Sequence, residues 1–155
     1  MILRICTEWR NWTELTDIIS RERRSWNMSR IRGKGNRSTE LTLVALFRTN
    51  GIKGWRRHQK ITGKPDFIFP DSRLAVFVDG CFWHACPRCY REPKQNSAFW
   101  RKKIGGNVTR DRRVTRKLRK EGWRVCRIWE CRLKKPETVI RRIIRMLDCH
   151  GQAGI

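Results

Sequence analysis

The chain contains no long apolar segment, no internal repeat and no long low-complexity linker. No apolar run approaches the roughly 20 residues that a membrane-spanning helix needs, which excludes a protein anchored by such helices. The first residues also lack the basic and then apolar pattern of a secretory signal, so we expect a cytoplasmic protein. Within its 155 residues we expect a frayed N-terminal extension (residues 1–14), a single domain (15–149) and a short tail (150–155).

Acidic residues are scarce. The chain has 14 Asp and Glu against 37 Lys and Arg, which gives a formal net charge of +23. A field of this sign attracts polyanions and speeds the encounter with them. The charge therefore predicts a nucleic-acid partner first and an anionic membrane surface second.

Cysteine is plentiful, with seven in the chain, and in a reducing compartment these indicate thiols and metal ligands rather than disulfides. Four of them have the spacing of a metal site: Cys81, Cys86, Cys89 and Cys131. Four thiolates suit a closed, tetrahedral Zn²⁺ site, which would staple the loop after residue 80 to the rest of the fold. A redox pair formed by Cys86 and Cys89 is the alternative. The other three are expected to be ordinary thiols: Cys6, Cys126 and Cys149.

Apolar patterning predicts an α/β fold with a mixed central sheet flanked by helices. We expect strands over residues 55–59, 66–69, 74–79 and 123–129, and helices from residue 38 to the Asn50-Gly51 stop, over 96–121 and over 136–147. Residues 74–78 are apolar throughout, as in a central strand covered on both faces. On the helices, Leu41, Val44 and Ala45, together with Leu46 or Phe47, are expected to be buried, and Phe99 is a candidate core residue.

Acidic side chains and a histidine surround the cysteine loop. Asp66 opens one predicted strand and Asp79 ends the next, so a register that sets Asp66 opposite residues 78–79 would bring them to one sheet edge. Carboxylate oxygens there could hold Mg²⁺, and metal-bound water attacks phosphodiesters. His84, beside a predicted zinc ligand, and Glu40, in the first turn of its helix, are further catalytic candidates. The alternatives are a turn-stabilising Asp66, a strand-end cap at Asp79, a packed His84 and a Glu40 that only favours the helix dipole.

Four sequence blocks together resemble one enzyme family. They are Asn27-Met28-Ser29-Arg30-Ile31-Arg32, then Gly63-Lys64-Pro65-Asp66-Phe67, then Phe77-Val78-Asp79-Gly80-Cys81-Phe82-Trp83-His84, and finally Asn107-Val108-Thr109-Arg110-Asp111-Arg112-Arg113 with Gly122-Trp123-Arg124-Val125 and Trp129-Glu130-Cys131. The resemblance covers about residues 15–147, and the third block is highly specific. In these blocks the chain resembles the very-short-patch repair (Vsr) endonucleases, bacterial enzymes that nick DNA at mismatches.

The resemblance implies a restriction-endonuclease-like core, a structural zinc site, and Mg²⁺-dependent nicking 5′ to the thymine of a T·G mismatch, which arises when 5-methylcytosine deaminates. Matched by position, Asp66 and the backbone carbonyl of Val78 contact the Mg²⁺, and His84 acts through water near the scissile phosphate. Glu40 matches an acidic helix residue close to the site, and the four cysteines match the zinc ligands. The chain departs from the pattern at Asp79, where the family has a histidine, and a carboxylate there is a further candidate Mg²⁺ ligand.

Aromatic and basic residues near the cysteine loop predict how DNA is bound. The family uses an aromatic trio to intercalate between base steps, and by position the trio is Phe82, Trp83 and Trp100, with core packing as the alternative. Residues 101–120 contain ten Lys or Arg and one acid, Asp111. Contacts with the phosphate backbone of DNA, which position the duplex without reading its sequence, are expected from Lys103, Asn107, Arg110, Arg112, Arg113 and Arg116.

Two other hypotheses for the function compete with that of a mismatch endonuclease. One is a zinc-stapled DNA-binding module without catalysis, and the other is a structure-specific nuclease on the same core without a preference for T·G. The expected partner is double-stranded DNA carrying a T·G mismatch, with mismatch-repair proteins as a further candidate. We expect a monomer that works at the bacterial nucleoid.

Overall fold

The computed structural model of the chain describes residues 20, 22, 23, 26 and 37–148. Contacts group the chain into two units, Met1–Arg32 and Gly33–Ile155. In the first unit the Arg23 amide donates a 3.2 Å hydrogen bond to Ser20 Oγ. The predicted boundaries at residues 14–15 and 149–150 lie outside the described residues.

A four-stranded mixed sheet forms the centre of the second unit. Its strands are β1 (Arg56–Arg57), β2 (Phe67–Phe69), β3 (Leu74–Asp79) and β4 (Arg124–Trp129). They lie in the order β1-β2-β3-β4, with β1–β2 and β2–β3 antiparallel and β3–β4 parallel. The prediction of a mixed sheet is confirmed, but β1 is shorter than residues 55–59, because His58 has a left-handed φ of +54° and ends the strand.

In the described part of the second unit, three α-helices accompany the sheet: α1 (Thr42–Thr49), α2 (Ser97–Lys120) and α3 (Pro136–Asp148). A π-helical turn, Arg37–Leu41, leads into α1, and a 3₁₀ turn, Glu130–Lys134, leads from β4 towards α3. The long predicted helix is confirmed, and it runs unbroken through Gly105 and Gly106. None of the described helices is long and apolar enough to cross a membrane.

The helices cover opposite faces of the sheet. Because strand side chains alternate, Leu74 and Val76 of β3 pack with α1 and α3, whereas Ala75 and Phe77 pack with Leu118 of α2. On the first face an aromatic cluster forms around Phe47, whose ring lies 5.3 Å from that of Phe67 and 5.6 Å from that of Phe69. The central strand β3 is therefore buried from both sides, as its apolar sequence predicts.

Three core predictions were wrong. The buried residues of α1 are Leu43, Val44 and Phe47, whereas Leu41 is 39% exposed and Ala45 is also exposed. The π-helical turn precedes α1, so the rotation of the helix differs from that of an α-helix started at residue 38. Phe99, in the first turn of α2, is 61% exposed.

Candidate active site and metal centre

A tightly packed turn delivers Asp66 to the sheet. Gly63 has a left-handed φ of +75°, and a Cβ atom at this position would lie 2.1 Å from Cγ1 of Val114 on α2. Next to it, Thr62 Oγ1 donates a 2.7 Å hydrogen bond to Glu121 Oε1. Pro65 is among the most deeply buried residues. Only glycine fits both the backbone angle and the close approach of α2, so the turn before Asp66 is fixed.

Asp66 lies where the β2–β3 ladder ends. Asp66 Oδ2 accepts a 2.7 Å hydrogen bond from the backbone amide of Val78. The register, in which Phe67 pairs with Val76, brings Pro65 opposite Val78. The N–H and C=O of a strand residue point to the same side, so the Val78 carbonyl is expected on the side of Asp66. Because Pro65 has no N–H to donate, this carbonyl is expected to lack a hydrogen-bond partner in the β2–β3 ladder.

The environment of Asp66 favours its protonated form. Burial raises the pKa of this carboxyl to about 6, and the charges of Glu40 and Asp79 act in the same direction. The Val78 hydrogen bond and the Arg127 charge oppose this shift. A buried carboxylate at such a cost in free energy is typical of a functional site that receives a cation.

Glu40 is 4% exposed and lies within the electrostatic reach of Asp66. Its carboxylate accepts a 2.7 Å hydrogen bond from Arg57 Nη2, and its other oxygen is 3.8 Å from His58 Nδ1. The two roles predicted for Glu40, a charge that favours the helix dipole and a member of the catalytic site, both remain predictions. Glu40 is a buried acid at the edge of the Asp66 site.

Asp79 is bound by an arginine from the neighbouring strand. Arg127 Nε donates to Asp79 Oδ2 at 2.7 Å and Arg127 Nη2 donates to Asp79 Oδ1 at 2.6 Å. Burial lowers the pKa of Arg127, but hydrogen bonds and charge interactions with Asp79 and Asp111 raise it, with a net upward shift. Asp79 was a predicted Mg²⁺ ligand, yet both of its oxygens are occupied by a guanidinium that stays charged.

His84 is oriented by an acid from α2. Its Nδ1 lies 2.5 Å from Asp111 Oδ2 and 3.7 Å from Asp79 Oδ1. Since a carboxylate only accepts hydrogen bonds, Nδ1 carries a hydrogen, and Nε2 has no hydrogen-bond partner among the residues that the structure describes. The second oxygen of Asp111 is 3.1 Å from Arg127 Nη2. His84, Asp111, Arg127 and Asp79 therefore form one connected network beside Asp66.

The four predicted zinc ligands converge. All four sulfur atoms, from Cys81, Cys86, Cys89 and Cys131, lie within 4.8 Å of one another. The Sγ atoms of Cys86 and Cys131 are 3.8 Å apart, and Zn–S bonds of about 2.3 Å in a tetrahedron put sulfurs about 3.8 Å apart. Burial raises the pKa of Cys86, while the backbone amides of Arg88 and Cys89 and the neighbouring thiols lower it, with a net lowering. The donor set and its spacing fit one metal ion.

The aromatic side chains of the cysteine loop pack against Trp100 of α2 in edge-to-face and tilted arrangements. The ring of Phe82 lies 5.2 Å from those of Trp83 and Trp100, and the two indoles are 6.1 Å apart. All three are half-buried and belong to neither core cluster. Asn107 Nδ2 donates a 2.9 Å hydrogen bond to the Trp83 carbonyl. Asn107, a predicted DNA contact, thus fastens the loop to α2.

The outer face of α2 is basic. Val114 and Leu118 pack against the sheet, Ile104 is buried, and Asp111 faces His84. Five predicted backbone-contacting residues are exposed on this helix: Lys103, Arg110, Arg112, Arg113 and Arg116. The helix that carries Asp111 and Trp100 therefore also presents a positively charged face to solvent.

A family model described as DNA mismatch endonuclease Vsr matches residues 16–91. Type II nicking enzyme V.XorIIP of Xanthomonas oryzae pv. oryzae is 39% identical over 137 residues, which is 86% of this chain and 98% of the relative. DNA mismatch endonuclease Vsr of Escherichia coli is 36% identical over 125 residues, 79% of each chain. The chain belongs to the Vsr family. Type II nicking enzyme V.NaeI of Lentzea aerocolonigenes is 39% identical over 115 residues, covering 69% of this chain and 67% of the relative.

Membership of the Vsr family makes the protein a DNA endonuclease that acts on phosphodiester bonds and belongs with DNA mismatch repair. The alternative of a DNA-binding module without catalysis is therefore set aside. The cysteine cluster and the acidic residues with His84 are compatible with metal use by this Vsr-family enzyme.

Two members of the site were missed by sequence reasoning. Asp111 is the single acid among the ten basic residues of positions 101–120, and an isolated acid of this kind was the available signal. No sequence pattern marked Arg127 as a site residue, because an arginine in a strand of alternating apolar and basic residues is expected to point to solvent. Its role depends on the parallel β3–β4 register, which places Asp79 opposite Trp129, two positions beyond Arg127.

Proposed function

We propose that the chain is a Mg²⁺-dependent endonuclease with a restriction-endonuclease-like core that nicks one DNA strand 5′ to the thymine of a T·G mismatch. The observation that carries the proposal is the buried carboxylate of Asp66, whose pKa is raised to about 6, beside the end of β3 and the His84–Asp111 pair. A protein that only binds DNA has no need of this arrangement. The Vsr relative of Escherichia coli supports the mismatch preference.

The Mg²⁺ site is proposed at Asp66 and the backbone carbonyl of Val78. Both offer oxygen, the donor that Mg²⁺ prefers, and a cation there would relieve the cost of an ionised Asp66 in a buried position. Glu40 adds negative charge close by. When bound, Mg²⁺ supplies an activated water and offsets charge on the phosphodiester. Asp79 is left outside the direct ligand set, because Arg127 binds both of its oxygens.

His84 is proposed as the proton-handling residue. With Nδ1 held by Asp111, the free Nε2 can accept a proton from a water molecule near the scissile phosphate. Asp111 keeps the imidazole in this tautomer and orientation. A carboxylate that accepts a hydrogen bond from one ring nitrogen has this effect on catalytic histidines in general. The proposed catalytic group is thus Asp66, His84 and Glu40, with Asp111 orienting the histidine. Asp79, the fourth predicted catalytic residue, is bound by Arg127.

Zn²⁺ is proposed as the structural metal held by the four cysteines. It would join the loop after β3 to the turn after β4, because Cys131 belongs to the 3₁₀ turn Glu130–Lys134. The loop also carries Phe82, Trp83 and His84, so the metal would fix two of the three proposed intercalating side chains together with the catalytic histidine.

The DNA is proposed to lie along α2. Phe82, Trp83 and Trp100 intercalate at the mismatch, where a wobble pair opens more readily than a matched pair. The exposed basic residues of α2 contact phosphates, which holds the duplex without reading its sequence. We further propose that residues 15–149 act as one endonuclease domain, as a monomer at the bacterial nucleoid, with mismatch-repair proteins as candidate partners.

The test is nicking of an end-labelled duplex with one T·G mismatch, beside the same duplex with a T·A pair, in Mg²⁺ and in EDTA. We expect a single nick 5′ to the mispaired thymine, in Mg²⁺ only. Asp66→Asn should abolish nicking and retain DNA binding, whereas Asp71→Asn, in the exposed turn between β2 and β3, should nick as the wild type does.

Three outcomes would contradict parts of the proposal. Nicking by Asp66→Asn at the wild-type rate would exclude the assigned metal site. Equal rates on T·G and T·A duplexes would favour a structure-specific nuclease without mismatch preference. Full activity in EDTA would exclude the requirement for Mg²⁺.

A further inference from the structure

Arg127 occupies the centre of the acidic network. Its guanidinium holds both oxygens of Asp79, at 2.6 and 2.7 Å, and reaches one oxygen of Asp111 at 3.1 Å. The guanidinium carbon also lies 4.8 Å from the centre of the Phe77 ring, a cation–π distance. Phe77 is the register partner of Arg127 in the parallel β3–β4 pair. Two strands and one ring therefore fix this cation.

The position of Arg127 decides which carboxylate His84 uses. His84 Nδ1 has two candidate acceptors, Asp111 Oδ2 at 2.5 Å and Asp79 Oδ1 at 3.7 Å. The nearer one belongs to a carboxylate on α2, and the farther one is already bound by Arg127. We propose that Arg127 is a positioning residue of the nicking site, which holds Asp79 away from His84 and from metal and leaves the imidazole aligned by Asp111 alone.

Charge supports this assignment. Asp79, His84 and Asp111 have ligand atoms within 4.8 Å of one another, a spacing at which three such groups could take a divalent cation. A charged guanidinium already bound to both acids repels a second cation and satisfies the carboxylates. Arg127 therefore serves as the resident cation of this group, and a metal ion belongs at Asp66 instead.

A purely structural role is the competing explanation. Asp79 is 2% exposed, and a buried carboxylate without a counter-charge destabilises any fold. The two explanations differ in the folded molecules of Arg127→Met: a structural role predicts that they keep the wild-type kcat and His84 environment, whereas a positioning role predicts that both change. The double variant Asp79→Asn/Arg127→Met removes both charges, so no acid competes for His84 and no buried charge is left unpaired, and it should recover under either explanation.

The inference rests on the proposed function, and kinetics of zinc-loaded, full-length protein on the T·G duplex test it. We expect Arg127→Met to lower kcat between about tenfold and a hundredfold with KM changed less than about twofold, because the imidazole is misplaced and DNA contacts are kept. Asp79→Asn/Arg127→Met should recover most of the lost kcat, and Arg127→Lys should lie between. The matched control is Arg124→Met, which removes an arginine of the same strand whose Nη2 donates only to the Ser72 carbonyl.

A second readout does not depend on nicking. In protein labelled with ¹⁵N-histidine, the ring signals of His84 should change in Arg127→Met and return in the double variant, while Arg124→Met leaves them unchanged. Wild-type kcat in folded Arg127→Met, a rise in KM alone, or no recovery of kcat and of the ring signals in the double variant would overturn the inference. A wild type that nicks no duplex but shows the expected ring signals would instead contradict only the proposed function. If Arg127→Met does not fold, Arg127→Lys still decides between the two explanations, because it keeps a counter-charge for Asp79 without the bidentate geometry: a lower kcat with altered His84 ring signals supports positioning, and wild-type values overturn it.

Discussion

Asp66 Oδ2 accepts a hydrogen bond from the Val78 amide at 2.7 Å, in the place where a backbone carbonyl would bind if the ladder continued. Pro65 stands opposite Val78 in this register and interrupts the ladder. The interruption turns a regular strand pair into a site in which the Asp66 carboxylate binds the Val78 backbone amide. Its ionisation is costly, because the carboxylate is largely buried.

Asp66→Asn should stabilise the fold at neutral pH. The pKa of Asp66 is raised from 3.8 to about 6, so the contribution of this group to stability is fully present below pH 3.8 and is lost as pH rises through about 6. The unfolding free energy of the variant at pH 7.5, without divalent metal, should exceed that of the wild type by at most about 3 kcal/mol. Urea unfolding across pH measures this difference, which should close below pH 4. Asp71→Asn should show no such pH dependence, and a variant less stable than wild type at pH 7.5 would contradict the assigned environment.

Cys131→Ser should release the bound metal and destabilise the fold. One of four thiolates is lost, and the loop after β3 is no longer tied to the turn after β4. We expect a loss of at least about 3 kcal/mol in unfolding free energy, a fraction of the ~10–16 kcal/mol that Zn²⁺ provides to zinc-finger peptides. Elemental analysis and thermal unfolding measure both effects. Cys126→Ala, which removes a buried thiol outside the cluster, should keep one zinc per chain, and a fully zinc-loaded Cys131→Ser protein would rule the cage out.

Two glycine-to-alanine changes should act in opposite directions. Gly63→Ala places a Cβ atom 2.1 Å from Val114 Cγ1 at a left-handed backbone angle, so we expect a loss of roughly 2 kcal/mol or more and reduced nicking. Gly106→Ala, in the middle of α2 with open space around the new methyl group, should gain about 1 kcal/mol from helix propensity. Urea unfolding of the two variants tests the pair. Equal stability of Gly63→Ala and wild type would show that the turn before Asp66 is not held by α2.

Trp83→Ala should reduce the preference for T·G over matched DNA. Base–aromatic stacking is worth roughly 1–3 kcal/mol per base, so the ratio of nicking rates on T·G and T·A duplexes should fall about tenfold or more. Binding to any duplex should persist, because phosphate contacts are the same at both pairs. Phe99→Ala, which removes an exposed ring beside Trp100, is the control and should change the ratio less. An unchanged ratio in folded, zinc-loaded Trp83→Ala would assign this side chain to packing alone.

Local sequence patterns predicted the secondary structure well where one cause dominates. The apolar run that ends at Asp79 matches β3, the long basic helix ends before Gly122, and Pro136 begins α3. Sequence patterns failed to predict burial where it depends on the rotation of a helix about its axis or on a position in the first turn of a helix. The π-helical turn before α1 buries Leu43 in place of Leu41, and the first turn of α2 leaves Phe99 in solvent.

The sequence by itself determined the basic character of the chain, the family, the four cysteines and the candidate acids, because residue type and spacing along the chain carry these properties. Only the tertiary structure decided which charges meet. Arg127 is 48 residues from Asp79, and Asp111 is 27 residues from His84, so no local pattern pairs them. These contacts follow from the parallel β3–β4 register and from the face of α2 turned towards the sheet, since a charged group buried by packing must take its partner from whichever element lies beside it.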